Sequence, residues 1–231
     1  MIKKFAVFVE GETELEFSTA LLISLAGAVG IKLNIFEQFK GQLVFLNAIN
    51  NNVGQISIEV LIVNCHNDER VKTEINNQYD GLVAQGYSSV IGLRDVYPKI
   101  HSDIPNLQQE LHTGIKSGII PIRLHLAIME IEAGFLEEIT HFEKIEPTMT
   151  SNWLLANGFD YVNSCAESIH HPANELDSIY AKVRKRYNKT SKHRKRTINS
   201  LDFNILLSIV RTKSTSLNDF ITSIEKGFAG M

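Results

Sequence analysis

Glu10, Asp95 and Glu130 each close a run of apolar residues, and two further acids, Glu14 and Glu132, follow shortly after Glu10 and Glu130. Carboxylates gathered at strand ends can hold Mg²⁺ or Mn²⁺, which take hard oxygen ligands in near-octahedral geometry. Two such ions about 4 Å apart need several carboxylates and stabilise both the attacking and the leaving oxygen of phosphoryl transfer. Each acid also has an ordinary structural reading. Glu14 suits the first turn of a helix, where the macrodipole favours negative charge. Asp95, before "VYP", suits a turn, and Glu130 and Glu132 suit a helix start. The metal reading gains from coincidence: three separate strands end in an acid on what should be one edge of a sheet, where α/β proteins place their ligands.

The elements that must position these acids alternate along the chain. "KFAVFVE" (4–10), "IKLNIFEQF" (31–39), "ISIEVLIVN" (56–64), "SSVIGLRD" (88–95) and "IIPIRLHLAIME" (119–130) read as strands. Between them, 13–30, 42–52, 69–86 and 104–118 carry helical spacing or glycine stops. Strands separated by helices imply βαβ units. The predicted fold class is therefore α/β, a mainly parallel sheet flanked by helices over residues 1–135. A helical C-terminal region over 136–231 follows, with a residual β signal only at "FDYVN".

With 231 residues and 44% apolar composition, the chain can bury a sizeable core. No uncharged apolar stretch is long enough to span a bilayer, so no membrane partner is expected. Cys65 and Cys165 are too few and too distant for a disulfide framework. With acids interrupting the first apolar run before a secretory signal could form, they point to free thiols in the cytoplasm.

The net charge of −3 hides a strong asymmetry. Lys182, Arg184, Lys185, Arg186, Lys189, Lys192, Arg194, Lys195 and Arg196 crowd the tract "KVRKRYNKTSKHRKR", leaving 14 basic against 26 acidic residues elsewhere. A cationic segment on an acidic body suits phosphate-backbone contact, with nucleic acid as partner. Tyr180 and Tyr187 are candidate stacking surfaces for bases. A solvated helix end, or a site for an acidic protein, remains the alternative. His170 and His171, before Pro172, read as turn residues, and Asp68 and Glu69 as helix-start acids. No Walker motif is present.

The stretches "AVFVEGETE", "VIGLRDVYP" and "AIMEIEAGFL" taken in order resemble the Toprim family, and within it a stand-alone group related to OLD-type nucleases. "SLDFNILLSIVRTKSTSLNDFI" is similar to that group's C-terminal helices. The resemblance implies divalent-metal-dependent cleavage of phosphodiester bonds in DNA or RNA, with Mg²⁺ or Mn²⁺ as cofactor and phage defence as context. Glu10 and Asp95 would be principal ligands, and Glu14, Glu130 and Glu132 further ligands or water-orienting groups. An ATPase or another defence-system subunit would be a partner. The second motif departs from the usual Asp-x-Asp, because Tyr97 stands where the second acid belongs. The alternative is a degenerate Toprim subunit that binds nucleic acid or protein without cutting.

Overall fold

The computed structural model describes residues 2–51 and 53–230. The elements run β1 (Lys3–Val9), α1 (Glu12–Ala26), β2 (Gly30–Phe39), β3 (Gln42–Asn50), β4 (Ile56–Asn64), α2 (Asp68–Ala84), β5 (Val90–Asp95), α3 (Ile104–His112) and β6 (Ile122–Ala127). Helices follow: α4 (Glu132–Glu137), α5 (Thr140–Ile145), α6 (Ser151–Ala156), α7 (Pro172–Ala181), α8 (Ser191–Ser200), α9 (Phe203–Ile205), α10 (Arg211–Lys213) and α11 (Thr215–Ala229). One π-helical turn, Leu206–Val210, joins α9 to α10.

The chain divides into two compact units that interleave in sequence. The first takes the described residues of 1–94, 105–126 and 219–231. The end of α11 belongs to this unit as well. The sheet has the order β3-β2-β4-β1-β5-β6. β1 pairs in parallel with β4 and β5, and β2 in parallel with β4, while β3 runs antiparallel to β2. The α/β class expected from the alternating pattern is the fold observed.

Phe5 to Val9 are all at 0% exposure. A strand covered on both faces is continuously apolar instead of alternating, and each such large side chain contributes roughly 1.5–3 kcal/mol. Helix α1 packs on β2 and β4, and α2 on β1. Gly92 permits the close approach of α2 to β5. A Cβ there would lie 2.5 Å from Leu124 Cδ2 and 2.9 Å from Ile75 Cδ1.

The second unit, 95–104 and 127–218, is built from helices α4 to α10. Its core holds Phe135, Leu136, Phe142, Leu176, Ile179, Tyr180 and Leu206. Tyr180 is fully buried, and its hydroxyl lies 2.9 Å from His141 Nε2 and 3.2 Å from Thr197 Oγ1. Burial lowers the His141 pKa to about 4.

Three local expectations change. Residues 42–50 form a strand, not a helix; Asn52, at the end of that stretch, lies outside the described residues. Lys40 and Gly41 both have positive φ, 48° and 82°, which makes a tight hairpin turn, and Phe45 packs edge-on against Phe36 at 5.3 Å. Pairing with β2 outweighs the helical spacing. "FDYVN" is a turn in which the Asp160 carboxylate accepts from the Asn163 amide. The strand expected over 119–130 covers only Ile122–Ala127, so Glu130 lies beyond it.

Candidate metal centre

In the first unit, Glu10 directly follows β1 and is half-buried. Gly11 is the N-cap of α1 in an extended conformation, with Glu12 and Glu14 in the first turn. Glu14 is nonetheless only 4% exposed, which a simple dipole-facing surface acid would not be. A Cβ on Gly11 would stand 3.1 Å from Glu14 Oε2, so glycine leaves room for that carboxylate beside the backbone. At the end of β4, Asn64 Nδ2 donates to Glu12 Oε1 at 2.6 Å. Asn64 has no motif to mark it in the sequence; its one signal is a polar residue closing the most strand-like run.

In the second unit, the chain after β5 is zipped to the last residue of β6 and the turn beyond it. Val96 N donates to Ala127 O and Tyr97 N to Met129 O. Met129 is buried with φ +60°, a conformation rare for a side chain of its size. The turn sets Glu130 and Glu132 close behind it. Asp95 Oδ1 accepts from Ile131 N at 3.2 Å, which locks the tip of β5 to the same turn.

Glu130 and Glu132 have different surroundings. Glu130 Oε2 accepts from His171 Nδ1 and from Ala173 N, both at 2.8 Å, and Oε1 lies 3.0 Å from Lys189 Nζ. Glu130 therefore caps the N-terminus of α7. Burial pushes its carboxyl up, but Lys189, the Ala173 amide and His171 together hold it below its ordinary value. Glu132 is at 0% exposure. Its Oε1 accepts from the Tyr187 hydroxyl at 2.8 Å and lies 3.3 Å from Lys189 Nζ. Its Oε2 is buried and accepts no hydrogen bond from the described residues. Burial drives the Glu132 carboxyl above its ordinary range, opposed by Lys189 and reinforced by Glu130.

One carboxylate oxygen from each of Glu14, Asp95 and Glu132 lies within 4.8 Å of the others, and all three residues are buried. Such a buried acidic triad could hold a metal ion. Three carboxylates this close repel one another strongly unless a cation or protons intervene, and a buried carboxylate oxygen without a hydrogen bond, as at Glu132 Oε2, is costly unless a cation or a proton meets it. Of the five acids marked in the sequence, these three form the group. Glu10 stands at the tip of β1, and Glu130 is committed to His171, Ala173 and Lys189.

Tyr97, two residues after Asp95, stacks on His171 with centroids 4.2 Å apart and planes at 20°. It thus supports the imidazole that bonds Glu130. The histidine pair is more than a turn: His170 is exposed, while His171 belongs to the carboxylate network. A sequence offers no signal for this, because Glu130 and His171 are distant along the chain.

The basic tract divides. Lys182, Arg184, Arg186, Lys192 and Lys195 are exposed, though Arg186 makes a two-pronged pair with Asp177 at 2.9 and 2.8 Å. Lys185 pairs with Glu146 at 3.4 Å, and Arg196 lies over the Tyr180 ring at 5.0 Å. Arg194 is buried and donates to the Lys189 carbonyl. Lys189 turns to the acids. Tyr180 and Tyr187 are at 0% and 2% exposure, so neither offers a face for base stacking; both are consumed by core hydrogen bonds.

Among the described residues, no helix is long and apolar enough to cross a membrane. The chain matches no protein-family model, no curated protein and no solved structure.

Proposed function

We propose that this chain is a divalent-metal-dependent nuclease. The observation that carries the reading is the buried triad of Glu14, Asp95 and Glu132, with one Glu132 oxygen lacking a hydrogen bond from the described residues. These three carboxylates would hold Mg²⁺ or Mn²⁺, whose hard-oxygen preference they satisfy. When bound, such an ion supplies Lewis-acid polarisation of a phosphodiester oxygen and makes a water more acidic.

The chain's own residues do the rest. Asp95, fixed by the Ile131 amide, and Glu132, fixed by the Tyr187 hydroxyl, present oxygens with little freedom to reorganise. Glu130 holds Lys189 beside the triad, where its ammonium can meet a phosphate oxygen. The exposed Lys182, Arg184, Lys192 and Lys195 suit contact with the polynucleotide backbone, which needs charge but no base reading. The Toprim resemblance extends the reading to phage defence, with an ATPase or other defence subunit as partner.

One observation favours a second reading, a binding subunit without cleavage. Lys189 already lies against both Glu130 and Glu132, and an ammonium there can neutralise the acids in place of a metal. The purified chain, incubated with plasmid DNA and with RNA in Mg²⁺ or Mn²⁺, separates the two. Cleavage abolished by Glu14→Gln and Asp95→Asn supports the nuclease. Nucleic-acid binding that persists without cleavage under every metal and with partner added supports the second reading.

A further inference from the structure

The hairpin strand β3 lies at one edge of the sheet, bonded to β2 alone among the described strands. Of its nine residues, seven are exposed and two half-buried. Val44, Phe45 and Leu46 are 40%, 54% and 44% exposed, and Phe39, just before the turn, is 56% exposed. The strand, "QLVFLNAIN", has no charged residue and no proline. Natural sheets protect such edges with lysine, proline, short length or bulges, because unpaired N–H and C=O groups template further pairing. The one protective device here is a bulge at Leu46, where β2 pairing skips from Phe45 to Asn47.

We infer that β3 is a homodimer interface: two copies of this chain pair their β3 edges antiparallel and join the two sheets. A second copy fits better than a charged peptide for two reasons. A two-fold axis sets each side chain of the edge near its own copy, so a charged edge would repel itself while a neutral one does not. Antiparallel pairing also sets Gln42 of one chain near Asn50 of the other, amide to amide, and lays the apolar centre on itself.

The size of the edge sets what must be included. Nine residues give a length of about 30 Å, and a bare strand edge of that length falls short of the ~800 Å² per partner of a standard interface. The contact therefore takes in the faces of the hairpin as well. On one face a cavity of about 250 Å³ opens beside β3, with Phe36, Leu43 and Leu61 set among the polar Asn34, Glu59 and Gln78. Its apolar part, next to Leu43, can receive Phe45 or Leu46 of the second copy.

The test is the mass of the full chain in solution, by light scattering or sedimentation at micromolar concentrations. The expected mass is twice the 26.0 kDa of one chain. Phe45→Lys combined with Leu46→Lys should halve it with the far-UV spectrum unchanged. Ile119→Lys, at a side chain 82% exposed elsewhere, should leave it doubled. A wild-type mass of one chain, or a folded double variant that stays dimeric, overturns the proposal. Should the double variant not fold, hydrogen exchange of the unaltered chain reads the same contact. Amides of 42–50 should exchange more slowly as concentration rises, and exchange independent of concentration overturns the proposal. Neither measurement depends on metal or on nuclease activity.

Discussion

Lys189 Nζ lies 3.3 Å from Oε1 of Glu132, a carboxylate with no solvent exposure. A cation from the most basic tract of the chain thus sits among its most buried acids. Replacing it should expose what it does. In Lys189→Met, the stability without metal should fall by about 1–2 kcal/mol, less than the loss of a wholly buried pair because Lys189 is itself 39% exposed. Mn²⁺ should then restore more stability to the variant than it adds to the wild type. Urea denaturation with and without Mn²⁺ measures both.

Glu132→Gln keeps the side-chain volume and removes a charge that burial disfavours. Metal-free stability should hold or rise, while Mn²⁺ affinity falls at least about tenfold, as expected when a ligand is lost. For the wild type, Mn²⁺ at a hundredfold excess over its Kd should add about 2.7 kcal/mol. Calorimetric titration and thermal melts check the pair. Equal metal affinity in wild type and variant would remove Glu132 from the centre.

Glu130 has a structural task beside its neighbours' chemistry. Its Oε2 accepts from Ala173 N at the first turn of α7 and from His171. Glu130→Ala should cost on the order of 2 kcal/mol through the lost cap and the stranded buried partners. Glu130→Gln should recover part of this, since an amide oxygen still accepts. Denaturant midpoints of the two variants give the comparison.

His141 is buried neutral, with its pKa lowered to about 4, while the unfolded imidazole titrates near 6.5. Between these values the unfolded chain binds the extra proton. The stability contributed by His141 is therefore complete above pH 6.5 and is lost as pH falls towards 4. Against His141→Gln, which lacks this titration, the wild type should lose on the order of 3 kcal/mol more across that window. Paired unfolding curves at pH 7.5 and 4.5 test it. The comparison with the variant matters, because Glu137 and Glu138, whose carboxyls burial pushes up, titrate in the opposite sense in both proteins.

Much of the scaffold was legible from local pattern. The unbroken apolar run at 5–9 reads as a buried strand, and Glu14 stands out as an acid in the first turn of the helix read over 13–30, shortly after the strand end at Glu10. Other features escaped because their cause is distant in the chain. Residues 42–50 have no strand signal stronger than their helical one, and become a strand by bonding to β2 across the Lys40-Gly41 turn. Lys189 reads as one more basic residue until folding turns it onto Glu130 and Glu132.

The amino-acid sequence by itself determined the alternation of strands and helices, the acids at their ends and the separation of basic from acidic charge, all of which follow from short-range periodicity and side-chain type. Tertiary structure alone decided which acids share a site and which cation faces them. Asp95 and Glu132 meet because the turn at Met129 brings Ile131 N to Asp95 Oδ1, a pairing that no local window of residues encodes.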